Sequence, residues 1–183
     1  MFENKVHKFF RSITEPRMFN IHSLANRATT FDIEFSSKTK HLTFGATQYF
    51  TSQLASSITD CTSCYLRPLS PIFPTFDSFL YQCTMSQPGY QPLIGLQITT
   101  GRDHPISIKS LTEIQLCLKL KIPDLKALRP TVAAKWIILF VVPESMMASF
   151  GLQSITAKKY GHWEQKTAQF VLGLPEEEVM KSY

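Results

Sequence analysis

Two apolar segments joined by a short loop constrain the fold of this 183-residue chain more than any other feature. In Asp77–Gln82 and in Leu93–Thr100, most positions on both faces of an extended chain are apolar. Strands of that composition are typically covered on both sides. The loop between them contains Gly89 and two prolines and is too short to hold another element. The sequence therefore predicts two adjacent central strands of an α/β domain.

The remaining patterns predict a central mixed sheet flanked by helices, with residues 1–183 in a single soluble domain. A first amphipathic helix, ended by Pro16, is predicted from apolar residues at helical spacing: Phe2, Val6, Phe9, Phe10 and Ile13. Further strands are predicted at Phe31–Phe35, at His41–Phe44 as its hairpin partner, and at Trp136–Val142. Further helices are predicted at Tyr49–Ile58, Ile106–Leu120 and Glu144–Phe150. Trp163–Leu174 could end in a final strand or form a helix, and the helix is favoured.

Composition excludes several classes of protein. With 44% hydrophobic residues the chain lies outside the disordered class. Its longest apolar run, Trp136–Val142, is far below the ~20 residues that span a bilayer, so no membrane partner is expected. No apolar signal segment follows Met1, so we expect no signal peptide, and disulfides are not favoured. The immediate entry into an amphipathic stretch suggests one domain of a longer protein.

The net charge of +5 permits a nucleic-acid partner without requiring one. Between residues 98 and 135, seven basic residues stand against three acidic ones, which gives most of the excess. A solvated basic face is the usual explanation of such a segment, and phosphate binding is the alternative. The candidate nucleic-acid contacts are Arg102, Lys119, Lys121, Lys126 and Arg129.

Polar side chains interrupt both central strands. Asp77 begins the first strand and Gln97 lies in the middle of the second, and each must find a partner if it is buried. Oxygen ligands on two neighbouring strands can converge on Mg²⁺, with Glu3 of the first helix as a third candidate ligand. The alternative is structural: Asp77 caps a turn, Gln97 bonds a loop backbone, and Glu3 is a solvated carboxylate.

The candidate catalytic set also includes two residues that follow the second strand in sequence, His104 and Lys109. His104 could shuttle a proton or bond a phosphate, and Lys109 could stabilise developing negative charge. Either could equally be an ordinary surface residue.

Cys61 and Cys64 have the spacing of half a zinc site, but no second close pair exists, so packed or loop thiols are favoured. No glycine-rich phosphate loop, G-x-S-x-G or H-E-x-x-H motif is present.

Several segments, in consistent order, resemble the C-terminal domain of fungal Crinkler-type effectors and retrotransposon-hot-spot proteins. They are Phe73–Leu80, Leu96–Thr99, His104–Ile106 with the helix from Lys109, Trp136–Pro143, and Trp163 followed by Gln169–Leu172. That family is similar to the restriction-endonuclease superfamily, whose active site follows a PD-(D/E)xK pattern across two central strands. The resemblance implies a catalytic set of Glu3, Asp77, Gln97 and Thr99.

The chain departs from this pattern at two positions. Gln97 replaces the second-strand acid and is a weaker magnesium ligand, and Thr99 replaces the lysine, for which Lys109 is the candidate substitute. The resemblance thus implies a nucleic-acid-directed effector domain with a divergent Mg²⁺-dependent nuclease site. The alternative is an inactive interaction module that binds DNA, RNA or a host protein and can form a homodimer. The resemblance also implies secretion as part of a longer protein and action in a host nucleus.

Overall fold

The computed structural model describes residues 2–44, 62–69, 75–83, 88–120, 123–156 and 162–181. The strands are β1 Arg17–Ser23, β2 Thr30–Phe35, β3 Lys40–Phe44, β4 Ser63–Pro68, β5 Ser78–Gln82, β6 Tyr90–Ile98, β7 Ile106–Ser107, β8 Lys135–Pro143, β9 Ile155–Thr156 and β10 Thr167–Leu174. The helices are α1 Phe2–Ser12, α2 Ile108–Leu120, α3 Glu144–Met147, α4 Trp163–Lys166 and α5 Glu176–Lys181, with a 3₁₀ helix at Pro123–Leu128.

Eight strands form one mixed sheet in the order β2-β1-β10-β8-β6-β5-β4-β3, and β7 and β9 form a separate pair. Strand β8 lies parallel to both β6 and β10, whereas β5 is antiparallel to β4 and β6. The predicted mixed α/β architecture is therefore confirmed. The two central strands of the sequence prediction are β5 and β6, and they are neighbours.

Helix α1 packs inside the curl of this sheet. The ring of Phe10 stacks on Phe35 of β2 with centroids 4.2 Å apart, and it also contacts Phe19 of β1 and Tyr65 of β4. Strands from both halves of the sheet thus meet around one helical side chain. A side-chain hydrogen bond also links the two halves of the curled sheet, because the Gln82 amide of β5 donates to the Glu34 carbonyl of β2.

The opposite face of the sheet is covered by α2. Its residues Ile108, Leu111 and Ile114 are buried in one cluster with Phe76, Trp136 and other side chains of that face. Residues of β6 alternate between the two faces, so Leu93 packs on the α2 side while Ile94, Leu96 and Ile98 pack on the α1 side. Helices therefore flank the sheet on both faces.

Two sequence predictions of secondary structure were wrong. His41–Phe44 does not form a hairpin with Phe31–Phe35, because β3 pairs in parallel with β4 and β2 pairs with β1. Trp163–Leu174 is helical only over α4; its second part is β10, which pairs in parallel with β8 and is buried on both faces. Burial on both faces removes the polar–apolar alternation that identifies a strand. The predicted helix at 49–58 lies outside the described residues.

The described cysteines differ from each other. Cys64 of β4 is disulfide-bonded, whereas Cys83 is free and exposed. The expectation that disulfides are not favoured was therefore wrong.

Within the described ranges, no helix has both the length and the apolar character needed to cross a membrane.

A close contact between Gly95 and Phe76 positions the start of β5. A Cβ atom at Gly95 would overlap the buried Phe76 ring, so only glycine fits at this place in β6. Phe76 directly precedes Asp77, whose N–H donates to the Leu96 carbonyl at 2.9 Å. The glycine therefore lets the chain before β5 approach β6 closely enough to place Asp77.

We predict that Gly95→Ala lowers the free energy of unfolding by about 1–3 kcal/mol, because the Phe76 ring is packed and must move. Urea denaturation measures the change. Gly151→Ala is the matched control, since a Cβ atom there meets no atom within 4 Å. Adding Phe76→Leu to Gly95→Ala should restore part of the loss, and a double variant with no recovery would contradict the proposed overlap.

Candidate functional site

Asp77 lies at the head of β5, where the backbone turns into the strand. Its Oδ2 atom accepts a hydrogen bond from the Ile98 N–H of β6 at 2.6 Å. Burial raises the pKa of Asp77 to about 6, the Ile98 hydrogen bond opposes that rise, and the negative charge of Glu3 adds to it. The carboxyl group therefore links the start of β5 to β6, and it is close enough to α1 for the charge of Glu3 to raise its pKa.

Glu3 itself lies beside His7, one turn along α1. Oε1 of Glu3 is 3.5 Å from Nε2 of His7. Burial and the positive charge of Arg67 lower the pKa of His7 to about 3. The His7 ring is thus neutral at pH 7, and its contact with Glu3 is not an ion pair.

Gln97 does not join Asp77 and Glu3. Its strand neighbours Leu96 and Ile98 pack with α1, so the Gln97 side chain lies on the α2 side. There its Nε2 contacts Nε2 of His104. Burial lowers the pKa of His104, so the neutral ring accepts this hydrogen bond. Oε1 of Gln97 is buried and has no hydrogen-bond partner among the described residues.

A glutamine network continues from His104 along the α2 side. The His104 N–H donates to Oε1 of Gln153. The Gln153 N–H donates to Oε1 of Gln169 at 2.8 Å, and the Gln169 amide returns a bond to the Gln153 carbonyl at 2.8 Å. These hydrogen bonds connect the loop after β6 to β10 through Gln153. The Gln97 side chain thus contacts the His104 side chain, whereas the sequence alternative was a bond to a loop backbone.

The candidates for the catalytic lysine are also separated from Asp77. Thr99 bonds the Gly101 N–H through Oγ1 at 2.9 Å, which shapes the turn after β6. Lys109 lies at the start of α2 with a side chain that is 86% exposed, and its ammonium group is 4.0 Å from Glu113. Because Lys109 points into solvent from the helix on the other face, it does not replace a lysine next to Asp77.

The predicted magnesium ligands are therefore not assembled into one site. Asp77 and Glu3 lie on the α1 side, Gln97 lies on the other, and one Asp77 oxygen is already bonded to a backbone N–H. Across the described ranges, no group of three or more His, Cys, Asp or Glu residues could hold a metal ion. The donor set does not fit the three-ligand magnesium centre that the sequence suggested.

The basic segment between residues 98 and 135 is only partly described. Arg102 and Lys126 are exposed, in the turn after β6 and on the 3₁₀ helix. Arg129 is half-buried, and its carbonyl accepts a hydrogen bond from the Gln91 amide. The side chains of Lys119 and Lys121 lie outside the described residues.

A different basic site forms between α1 and the edge of the sheet. A cavity of about 50 Å³ is lined by His7, Lys8, Arg11, His41, Leu42, Thr43, Tyr65 and Arg67. Lys8, Arg11 and Arg67 carry positive charge, and no carboxylate belongs to this described lining. Lys8, Arg11 and Thr43 are exposed at the mouth, whereas His7 and Tyr65 are buried at the floor. We call this the basic cavity.

Hydrogen bonds fix the floor of the basic cavity. Ser78 Oγ donates to the Tyr65 hydroxyl at 2.9 Å, and that hydroxyl lies 2.6 Å from Nδ1 of His7. Nε2 of His7 is buried, has no hydrogen-bond partner in the described part of the chain and lies 3.5 Å from Oε1 of Glu3.

The cationic side chains act on the nearby rings. Burial lowers the pKa of His41, and the guanidinium of Arg11 lowers it further. Burial raises the pKa of Tyr65. Arg67 is held in place by the Asn4 side chain, whose Oδ1 accepts from Nη2 of Arg67 at 2.8 Å. The basic cavity therefore has a positioned positive charge at Arg67 and neutral polar groups at its floor.

Sequence reasoning did not find the basic cavity. Its helical residues, Lys8 and Arg11, are separated from Arg67 by more than fifty positions, so no local charge cluster marks it. The only local signal is the i, i+4 spacing of His7 and Arg11, which places them on one side of α1.

No protein-family model, no curated protein and no solved structure matches the chain.

We predict that Asp77→Asn removes a pH-dependent loss of stability. The pKa of Asp77 is 3.8 in its ordinary state and about 6 in the fold, so the folded state binds the proton more tightly. The carboxyl group therefore destabilises the fold increasingly as pH rises from about 4 to about 6, by up to about 3 kcal/mol.

Urea unfolding at several pH values between about 4 and 7 tests this, with the exposed Asp103→Asn as the control. The free energy of unfolding of wild type minus that of Asp77→Asn should fall as pH rises. A difference that stays flat, or rises with pH, would show that the fold does not disfavour the Asp77 carboxylate.

Proposed function

We propose that this domain is a nucleic-acid-binding module that contacts phosphate through the basic cavity. The observation that carries the proposal is the convergence of Lys8, Arg11 and Arg67 on one cavity with no carboxylate in its described lining. Lysine and arginine contacts to phosphate supply most of the affinity in non-specific nucleic-acid binding. The fixed guanidinium of Arg67 suits a phosphate oxygen because its orientation is set before binding.

The resemblance to Crinkler-type and retrotransposon-hot-spot proteins agrees with this class of partner. A restriction-endonuclease-like arrangement is supported by the adjacent antiparallel strands β5 and β6, with Asp77 at the head of the first. The domain then belongs among the inactive nucleic-acid-directed modules of that fold. Action in a host nucleus, a host-protein partner and a homodimer stay predictions of the sequence.

We predict that the double variant Lys8→Gln/Arg11→Gln weakens binding to single-stranded DNA and RNA and makes it less dependent on salt. Each lost phosphate contact reduces the slope of log K against log salt by about 0.7 for single strands, so two contacts reduce it by about 1.4. Fluorescence anisotropy at several salt concentrations measures both quantities.

Lys181→Gln is the control, because this substitution removes one positive charge, against two in the double variant, from an exposed site on α5 outside the cavity. Both altered residues of the double variant are exposed, so folding should be preserved. An unchanged salt slope in the double variant would assign binding to another surface. The absence of binding at low salt would exclude the proposed function.

Magnesium-dependent hydrolysis is the second candidate, and the specific observation in its favour is the pair of Asp77 and Glu3. Their charges interact, and the raised pKa of Asp77 is a feature that clusters at functional sites. Two carboxylates with substrate phosphate can hold Mg²⁺, although Gln97 does not contribute here.

The two candidates give opposite results in a cleavage assay. We expect plasmid and single-stranded DNA and RNA, incubated with Mg²⁺ or Mn²⁺, to stay intact, because the predicted ligand set is not assembled. Any background cleavage should be equal in wild type and Asp77→Ala. Cleavage that requires Asp77 would instead establish the nuclease function.

A further inference from the structure

We infer that the basic cavity takes the terminal phosphate monoester of a nucleic-acid strand in preference to an internal phosphodiester. The inference rests on the proposed nucleic-acid binding and specifies what the cavity recognises. It combines the size of the cavity, its closed floor and its charge.

The size and shape of the cavity favour one small anion at the end of a chain. Its volume of about 50 Å³ holds a few water-sized groups, which suits a phosphate group and is too small for a nucleoside. His7 and Tyr65 close the floor, with 5% and 3% of their surfaces exposed. An internal phosphodiester at that depth would need space for a nucleoside on each side, whereas a terminal phosphate enters with one ester bond behind it.

The charge of the lining also favours a monoester. A phosphate monoester carries about −1.5 to −2 at pH 7 and presents three terminal oxygens, whereas a diester carries a single charge. Lys8, Arg11 and Arg67 supply three cationic groups around one cavity. The second negative charge of a monoester therefore adds attraction to these three cations that the single charge of an internal linkage does not supply.

The test compares oligonucleotides of one sequence that differ only at their ends: 5′-phosphate, 3′-phosphate, and hydroxyl at both ends. Each carries an internal fluorophore, and anisotropy is measured for the full chain at one salt concentration. We expect a phosphorylated end to increase affinity about tenfold over the hydroxyl form. Lys8→Gln/Arg11→Gln should abolish that advantage, and Lys181→Gln should retain it.

The outcomes separate this inference from the function on which it rests. Equal affinity for all three oligonucleotides, with a salt slope that still depends on Lys8 and Arg11, would overturn end recognition and leave nucleic-acid binding in place. An end advantage that survives in the double variant would overturn the assignment to the cavity. No binding to any of the three at low salt would overturn both proposals. Thermal unfolding of each variant verifies that it is folded.

Discussion

The stacking of Phe10 on Phe35 is the contact on which the arrangement of this domain depends. It holds α1 inside the curled sheet, where Phe10 also meets Phe19 and Tyr65. Aromatic contacts of this kind contribute beyond their buried area and also fix ring orientation. Since Phe10 lies one turn or less from His7, Lys8 and Arg11, the same packing places those residues against β3 and β4.

Burial changes the pKa of the polar groups on the α1 side in different directions. Burial raises the pKa of Asp77, so keeping its carboxylate ionised costs free energy, and the hydrogen bond from the Ile98 N–H offsets only part of that free energy. At His7 it lowers the pKa and keeps the ring neutral beside Arg67. Lys8, Arg11 and Arg67 line the same cavity as the neutral His7 ring and the Tyr65 hydroxyl. Positive charge thus surrounds a floor of neutral polar groups.

The candidate site shows where sequence reasoning succeeds and where it fails. That Asp77 and Gln97 need partners follows from polar residues in apolar strands, and both have them, in Ile98 and His104. The alternation of side chains along β6 also predicts that Gln97 lies on the opposite face of the sheet from Leu96 and Ile98. The alternation does not predict which face α1 covers. The position of α1 on the face opposite Gln97 is what separates Gln97 from Asp77 and Glu3. The pairing of β3 with β4 was likewise hidden, because parallel partners are distant in sequence.

The sequence by itself determined the local elements with strong patterns: α1, the buried strands β5, β6 and β8, and the mixed α/β class. Periodicity and apolar runs are local properties, so they can be read without knowing the neighbours. Only the tertiary structure decided the helical or extended state of residues 167–174, the face occupied by Gln97, and the meeting of Lys8, Arg11 and Arg67. These depend on which segments pack together, and long-range packing overrides local preference where both faces of an element are buried.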